Sequence, residues 1–168
     1  TDALTMMAHA LAPRESSHGM AQALAENLAR EWANQERRGL VAALGFVEHA
    51  CRKMSAVPVA QHSVMRVGIV GEIYVKHSAY ANHNIVPWLV DQGIEPLVPP
   101  LMSFLTQGPI NVMANREARL DGRVLFPMAS AIVDNAVSRF LRALNRRLEQ
   151  FPYPVRFPIP SELAAKAA

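Results

Sequence analysis

Residues Arg66–Phe104 read RVGIVGEIYVKHSAYANHNIVPWLVDQGIEPLVPPLMSF, and this stretch decides the fold. Its first part, Arg66–Tyr74, is a short apolar run with glycines, which is typical of a strand buried on both faces of a parallel sheet. A loop follows to about His83, Asn84–Gln92 then has a helical pattern, and Ile94–Val98 predicts a second strand. A strand, a crossover helix and a strand of this length predict a right-handed parallel βαβ unit.

Turn-forming residues mark the ends of these elements. Asn82 is placed to cap the crossover helix, and Gly93 suits the left-handed position that follows a helix. Pro99-Pro100 closes the second strand, and a further helix is expected to begin near Leu101.

The polar loop after the first strand is the predicted functional site, because ligands bind beyond the carboxyl ends of strands in open parallel sheets. The candidate residues for substrate or partner binding are Glu72, Tyr74, Lys76, Asn82 and Asn84. A structural role stays open for each of them. For example, Glu72 would accept hydrogen bonds from nearby backbone, Asn82 would cap the helix, and Lys76 would be solvated. We expect the loop to contribute contacts, and the sequence assigns no catalytic residue.

Several motifs for cofactors and metals are missing from the sequence. The glycines do not spell GxGxxG, and no P-loop, HExxH or GxSxG occurs. His62, His77 and His83 lack an acidic residue placed to complete a metal site. The single cysteine, Cys51, cannot hold a zinc ion or an iron–sulfur cluster alone, and its helical context predicts a small buried residue. The sequence therefore predicts no metal and no cofactor in this chain.

Helical segments flank the βαβ unit. Residues from Ser17 to about Ala56 are predicted to be helical, with a break at Gly39 and an end at Val57-Pro58. Two apolar stripes carry this prediction: Met20, Leu24, Leu28 and Trp32, then Leu40, Leu44, Val47 and Cys51. After the unit, Val124–Gln150 is predicted to form a long helix. The four prolines of Phe151–Pro160 then require an extended or turning chain.

Composition excludes several classes of protein. Of the 168 residues, 51% are hydrophobic and 18% charged, which favours a globular domain over a disordered chain. The net charge is +3, but the arginines are spread along the chain, so we expect no nucleic-acid interface. No apolar run reaches the length of a membrane span. The lone cysteine is compatible with a cytoplasmic protein, and both ends resemble those of a piece cut from a longer one.

The predicted fold class is α/β, with a helical N-terminal region over residues 1–65 and a small parallel Rossmann-like sheet flanked by helices over 66–168. Two strands make a thin sheet, because parallel strands normally occur in larger sheets covered by helices. A third strand is expected from Val155–Phe157 or from near Val124–Phe126. Completion of the sheet by a second copy of the chain, as a homodimer, stays open.

Val67–Lys76, the run ANHNI after it and Gly93–Pro99 together resemble a known family. The chain is similar to proteins related to the 2-hydroxyacyl-CoA dehydratase D-component, also described as acyl-CoA dehydratase activase-related or CoA-substrate-specific enzyme activase. His83 stands where asparagine is usual in that family. The resemblance extends over about Ala42–Ala168, and its specific part is Val67–Pro99.

The resemblance implies a role in anaerobic CoA-thioester metabolism. In such systems an ATP-driven activator with an iron–sulfur cluster sends an electron to a cluster-bearing partner, which dehydrates a 2-hydroxyacyl-CoA through a ketyl radical. The family's cluster cysteines and ATP motifs have no counterpart in this sequence, so a 4Fe–4S cluster and ATP are expected elsewhere in the full-length protein.

The resemblance therefore implies a non-catalytic module whose loop contacts an acyl-CoA, the cluster region, or a dehydratase or activator subunit. Two alternatives stay open. One is a structural or oligomerisation domain without a ligand site. The other is a self-contained small-ligand enzyme in which Tyr74, Lys76 and His77 act as acid–base groups.

Overall fold

The computed structural model describes residues 1–36, 39–104, 127–159 and 162, and it describes only the backbone of residues 127–134. The helices and strands, in chain order, are α1 (Asp2–Leu11), α2 (Met20–Ala33), α3 (Leu40–Ser55), β1 (Arg66–Gly68), α4 (Ile73–His77), α5 (Ile85–Asp91), β2 (Glu95–Leu97) and α6 (Pro127–Leu148). Helices pack beside a two-stranded parallel sheet, which agrees with the predicted α/β class at this coarse level.

Helix α1 was not anticipated from the sequence. Leu4, Met7 and Leu11 recur at helical spacing, and all three are buried, so the helix presents one apolar face to the core. Asp2 lies in its first turn, where a negative charge interacts favourably with the helix dipole.

The predicted helical region before the βαβ unit is confirmed, and it consists of α2 and α3. Gly39 separates the two helices and is the N-cap of α3, which ends at Ser55, just before Val57-Pro58. The apolar stripes hold beyond their first members, since Leu28 and Cys51 are buried. They are wrong at their first members, Met20 and Leu40, because both lie at helix starts that project beyond the core.

The parallel pairing of the two predicted strands is confirmed. Arg66 of β1 pairs with Glu95 of β2, and Gly68 pairs with Leu97. Both strands are shorter than predicted. The prediction that the first strand is buried on both faces is wrong, because Arg66 and Gly68 are exposed and Val67 is only partly buried.

The first strand ends early because the chain turns at Gly71, whose φ of 142° is strained for a residue with a side chain. Glu72 then caps α4: its carboxylate accepts a hydrogen bond from the N–H of Val75 at 2.8 Å. The predicted open loop from Tyr74 to His83 therefore contains a short helix.

The cap of the crossover helix α5 lies two residues later than predicted. Asn84 occupies the cap position with a φ of 55°, whereas Asn82 lies in the preceding turn. The predicted left-handed role of Gly93 is confirmed by its φ of 71°. The N–H of Ile94 donates to the carbonyl of Leu89 at 2.9 Å, which closes the helix as in a Schellman motif.

One apolar core draws on residues from both predicted regions, 1–65 and 66–168. From α6 it contains Leu141, Leu144 and Leu148, and Val137 and Phe140 of the same helix pack against it. Side chains from α1, α2 and α3 and from the segment after α6 also belong to the cluster. The division of the chain at residue 65 stays a prediction.

The proline-rich segment after α6 is extended, as predicted, and it alternates in burial. Val155, Phe157 and Ile159 are buried in the core. Val155–Phe157 does not supply a third strand, because its backbone pairs with a side chain: Asn145 of α6 donates to the carbonyl of Phe157 at 2.9 Å and accepts from its N–H at 2.8 Å. The other predicted strand, Val124–Phe126, lies outside the described residues.

A buried glutamate connects the sheet to the helices. Glu95, at the start of β2, is 2% exposed, and its Oε2 lies 2.8 Å from Nη2 of Arg14, which follows α1. Its Oε1 accepts a hydrogen bond from Nε of Arg66 at 3.2 Å. The Arg14 guanidinium also stacks 4.5 Å from the ring centre of Tyr153. These contacts fix the end of α1 against β2.

Replacing Asn145 tests how the extended segment is held. We expect Asn145→Ala to lower the free energy of unfolding by about 2–4 kcal/mol, because two buried hydrogen bonds are lost and the Phe157 N–H is left unpaired. Asn27→Ala is the control, since Asn27 is exposed and accepts a hydrogen bond from the exposed Arg30, and it should change stability by less than about 0.5 kcal/mol. Equal effects in urea unfolding would contradict this.

Candidate functional site

A cleft lies between α1 with the start of α2 on one side and the α4–α5 region on the other. Its volume is about 740 Å³, within the range of small-molecule pockets. Residues that follow β2, Val98–Leu101, complete its wall. We call this feature the α1–α5 cleft.

The α1–α5 cleft contains part of the predicted site. Lys76 and Asn82 line it, and so does the neighbouring His77. The other three candidates, Glu72, Tyr74 and Asn84, are not among its lining residues. The structure therefore brings two of the five candidate residues together and directs the remaining three elsewhere.

The three candidates outside the cleft have visible structural settings. The Glu72 carboxylate caps α4 through Val75, as described above. The side chain of Tyr74 is 60% exposed. Asn84 is exposed at the start of α5, where its left-handed backbone lets the chain enter the helix.

Asn82 holds the turn between α4 and α5 beside the cleft. Its Nδ2 donates to the backbone carbonyl of Lys76 at 3.4 Å, which ties the end of α4 to the turn. Its buried Oδ1 accepts no hydrogen bond from the residues that the structure describes. The amide thus fixes the backbone that carries Lys76.

Lys76 differs from the acidic residues around the cleft in its pairing. Asp2 and Glu15 each accept hydrogen bonds from backbone N–H groups, and Asp91 lies 3.7 Å from Nε2 of His18. Within the described ranges, no carboxylate lies within 4.0 Å of the Lys76 ammonium group. Among the described residues that line the cleft, Lys76 is therefore a cation available to an anionic ligand.

The rest of the cleft wall is largely apolar. Met6, Val86, Pro87, Val90 and Val98 face the same space as Lys76. A partly buried cation beside an apolar wall suits a ligand with an anionic group and an apolar portion, because the charge pairs with the lysine while the apolar portion leaves water.

His9 also lines the α1–α5 cleft, and the sequence analysis missed it. Burial lowers the pKa of His9 from 6.5 to about 4, so the imidazole is neutral at pH 7. A neutral imidazole both donates and accepts a hydrogen bond, and it adds no second positive charge beside Lys76. The helical spacing of Leu4, Met7 and Leu11 was the signal that could have predicted α1 and placed this residue.

Cys51 is buried, as predicted. Its Sγ lies 3.8 Å from Sδ of Met7 and 3.6 Å from the carbonyl of Arg147. Burial, with the nearby Glu48 carboxylate second, raises its pKa to about 11, so the thiol stays protonated and unreactive at neutral pH.

Metal ligands do not cluster in the part of the chain that the structure describes, where no group of three or more His, Cys, Asp or Glu side chains is placed to hold an ion. Among the helices described, none combines the length and the apolar character needed to cross a membrane.

Comparisons with protein-family models, curated proteins and solved structures found no match. The resemblance noted in the sequence thus stays an expectation, and the argument for function rests on the geometry of the α1–α5 cleft.

Acid should destabilise the protein through His9. Between pH 6.5 and about 4, His9 is protonated in the unfolded chain and neutral in the folded one, so its contribution to stability falls as the pH is lowered through this window. At about 1.4 kcal/mol per pKa unit, the loss attributable to His9 is about 3 kcal/mol. His9→Gln should remove this part of the pH dependence, measured as unfolding free energy in urea at pH 7 and pH 4.

The control is His62→Gln, because the side chain of His62 is exposed. It should leave the pH dependence of the wild type intact. If the two variants lose the same amount of stability between pH 7 and pH 4, then His9 does not titrate as its burial requires.

Proposed function

We propose that this chain is a cytoplasmic, non-catalytic binding module of a protein related to 2-hydroxyacyl-CoA dehydratases and their activases, and that its α1–α5 cleft binds an acyl-CoA. In this proposal, the parallel β1–β2 pair belongs to a Rossmann-like arrangement. The sequence resemblance suggests the class of ligand, and the cleft suggests the place.

The observation that carries the proposal is the pairing state of Lys76. This lysine is half-buried at an apolar cleft, and it lacks a carboxylate partner among the described residues while the carboxylates around it are engaged. A phosphate of CoA satisfies the lysine, and the apolar wall accepts the acyl and pantetheine portions. Asn82 acts as a positioning residue, since it holds the carbonyl of Lys76.

A binding role is favoured over a self-contained enzyme because the acid–base groups do not converge. Lys76 and His77 line the cleft, but Tyr74 is exposed outside it. General acid–base catalysis needs the acting groups within hydrogen-bond reach of the same substrate atoms. We propose that the 4Fe–4S cluster, ATP and the dehydration chemistry belong to a dehydratase or activator subunit or to other parts of the full-length protein.

Calorimetric titration of the chain tests this function. We expect a 2-hydroxyacyl-CoA to bind, free CoA to bind more weakly because it lacks the acyl group, and the free 2-hydroxy acid to give no measurable heat. Lys76→Ala should weaken binding of the CoA ester by about tenfold, since one charge-assisted contact is lost.

Lys53→Ala is the matched control, because it removes the same charge from an exposed position on α3. It should leave the dissociation constant unchanged. Absence of binding by the CoA ester would refute the proposed function. Equal weakening by both variants would show that general charge, rather than the cleft, attracts the ligand.

A further inference from the structure

A second cavity adjoins the α1–α5 cleft. Its volume is about 430 Å³, and it lies between β2, with the residues that follow this strand, and the extended segment after α6. Much of its wall consists of prolines, namely Pro96, Pro99, Pro100, Pro154 and Pro158. We call this cavity the proline chamber.

The proline chamber and the α1–α5 cleft have a common boundary. Met6 and His9, one turn apart on α1, line both spaces, and so do Val98, Pro99 and Pro100. The prolines have no N–H group that would lose its water to a passing alkyl chain. Burial lowers the pKa of His9 to about 4, so the imidazole at this boundary is neutral at pH 7. A chain that crosses the boundary therefore desolvates no charged group.

The interior of the proline chamber suits an apolar group. Besides the prolines, its wall contains Met6, Leu97, Val98 and Val155. Its charged residues are already paired: Arg66 donates to Glu95 at 3.2 Å, and Nη2 of Arg156 lies 3.4 Å from Oε1 of Glu149. Among the residues described, the chamber thus offers apolar walls and no cation without a carboxylate partner.

This distribution of charge sets the direction of a ligand. Lys76 lines the cleft and not the chamber, and within the described ranges it has no carboxylate within 4.0 Å. An anionic head group is favoured beside Lys76, and an apolar tail is favoured in the chamber, where it leaves water.

We propose that the cleft and the proline chamber form one elongated site for an anionic amphiphile. Its head group pairs with Lys76, and its alkyl chain passes Met6 and His9 into the chamber. The site consequently binds a long chain more tightly than a chain too short to cross the boundary.

This inference deepens the proposed function by assigning a place to the acyl group. The identification of the alkyl chain with the acyl group of a CoA ester rests on the proposed function. The elongated site itself rests on the two cavities and their charges, so a ligand without CoA can test it separately.

Alkyl phosphates provide that test. Butyl, hexyl and octyl phosphate share one head group and differ only in chain length. We expect the affinity, measured by calorimetric titration below the micelle-forming concentration, to rise by up to about fourfold per added methylene, because each methylene leaves water in the chamber. Lys76→Ala should weaken all three ligands to a similar extent, because it removes the contact to the shared head group.

Filling the proline chamber tests where the chain lies. Leu97→Trp places a larger side chain in the chamber, and it should weaken octyl phosphate by about tenfold or more, because the chain loses its space. Pro154→Trp is a second variant that fills the chamber from the segment after α6, independently of the β1–β2 pairing. Val41→Trp is the control, because residue 41 is 86% exposed on α3 and lines neither cavity. Circular dichroism confirms that each variant is folded.

Three results would overturn the inference. They are no binding of alkyl phosphates, equal affinity for butyl and octyl phosphate, or a chain-length gain that survives both chamber variants. Binding of alkyl phosphates as expected, without binding of a CoA ester, would refute the proposed function and leave the elongated site standing. Binding of CoA esters regardless of acyl-chain length would refute the elongated site alone.

Discussion

The carboxylate of Glu95 lies between two guanidinium groups, and the arrangement of the helices around the sheet depends on it. At 2% exposure, Glu95 is tolerated as a charge because Arg14 lies 2.8 Å from one oxygen and Arg66 donates to the other. A buried carboxylate without such partners is strongly unfavourable. The sequence places these three residues far apart, so the ion pairs bring together the end of α1, the start of β1 and the start of β2.

The α1–α5 cleft follows from that arrangement. Its two sides are α1 and the α4–α5 region, and the residues that follow β2 connect them. With the end of α1 fixed against β2, the side chains of His9 and Lys76 face a common space. Both residues line this cleft, where burial lowers the pKa of His9 and Lys76 is half-buried.

The sequence predicted those parts of the fold that depend on local pattern. The β1–β2 pairing, the helices on either side, the left-handed Gly93 and the buried Cys51 all follow from periodicity and turn chemistry. It could not give the short length of β1, which depends on the turn at Gly71, or the packing of the final extended segment, which depends on Asn145. Only Lys76 and Asn82 of the five candidate site residues line the cleft. Loop position alone did not predict this, because tertiary contacts decide which side chains converge there.

A double-mutant cycle on Arg14 and Glu95 tests the central claim most directly. Urea unfolding of the wild type, Arg14→Met, Glu95→Gln and the double variant gives the coupling free energy between the two side chains. We predict a coupling of about 2–3 kcal/mol, because Arg14→Met leaves one oxygen of the buried Glu95 carboxylate unpaired and Glu95→Gln leaves the Arg14 guanidinium without its carboxylate. Additive effects, with a coupling below about 0.5 kcal/mol, would contradict the claim that this ion pair holds the helices to the sheet.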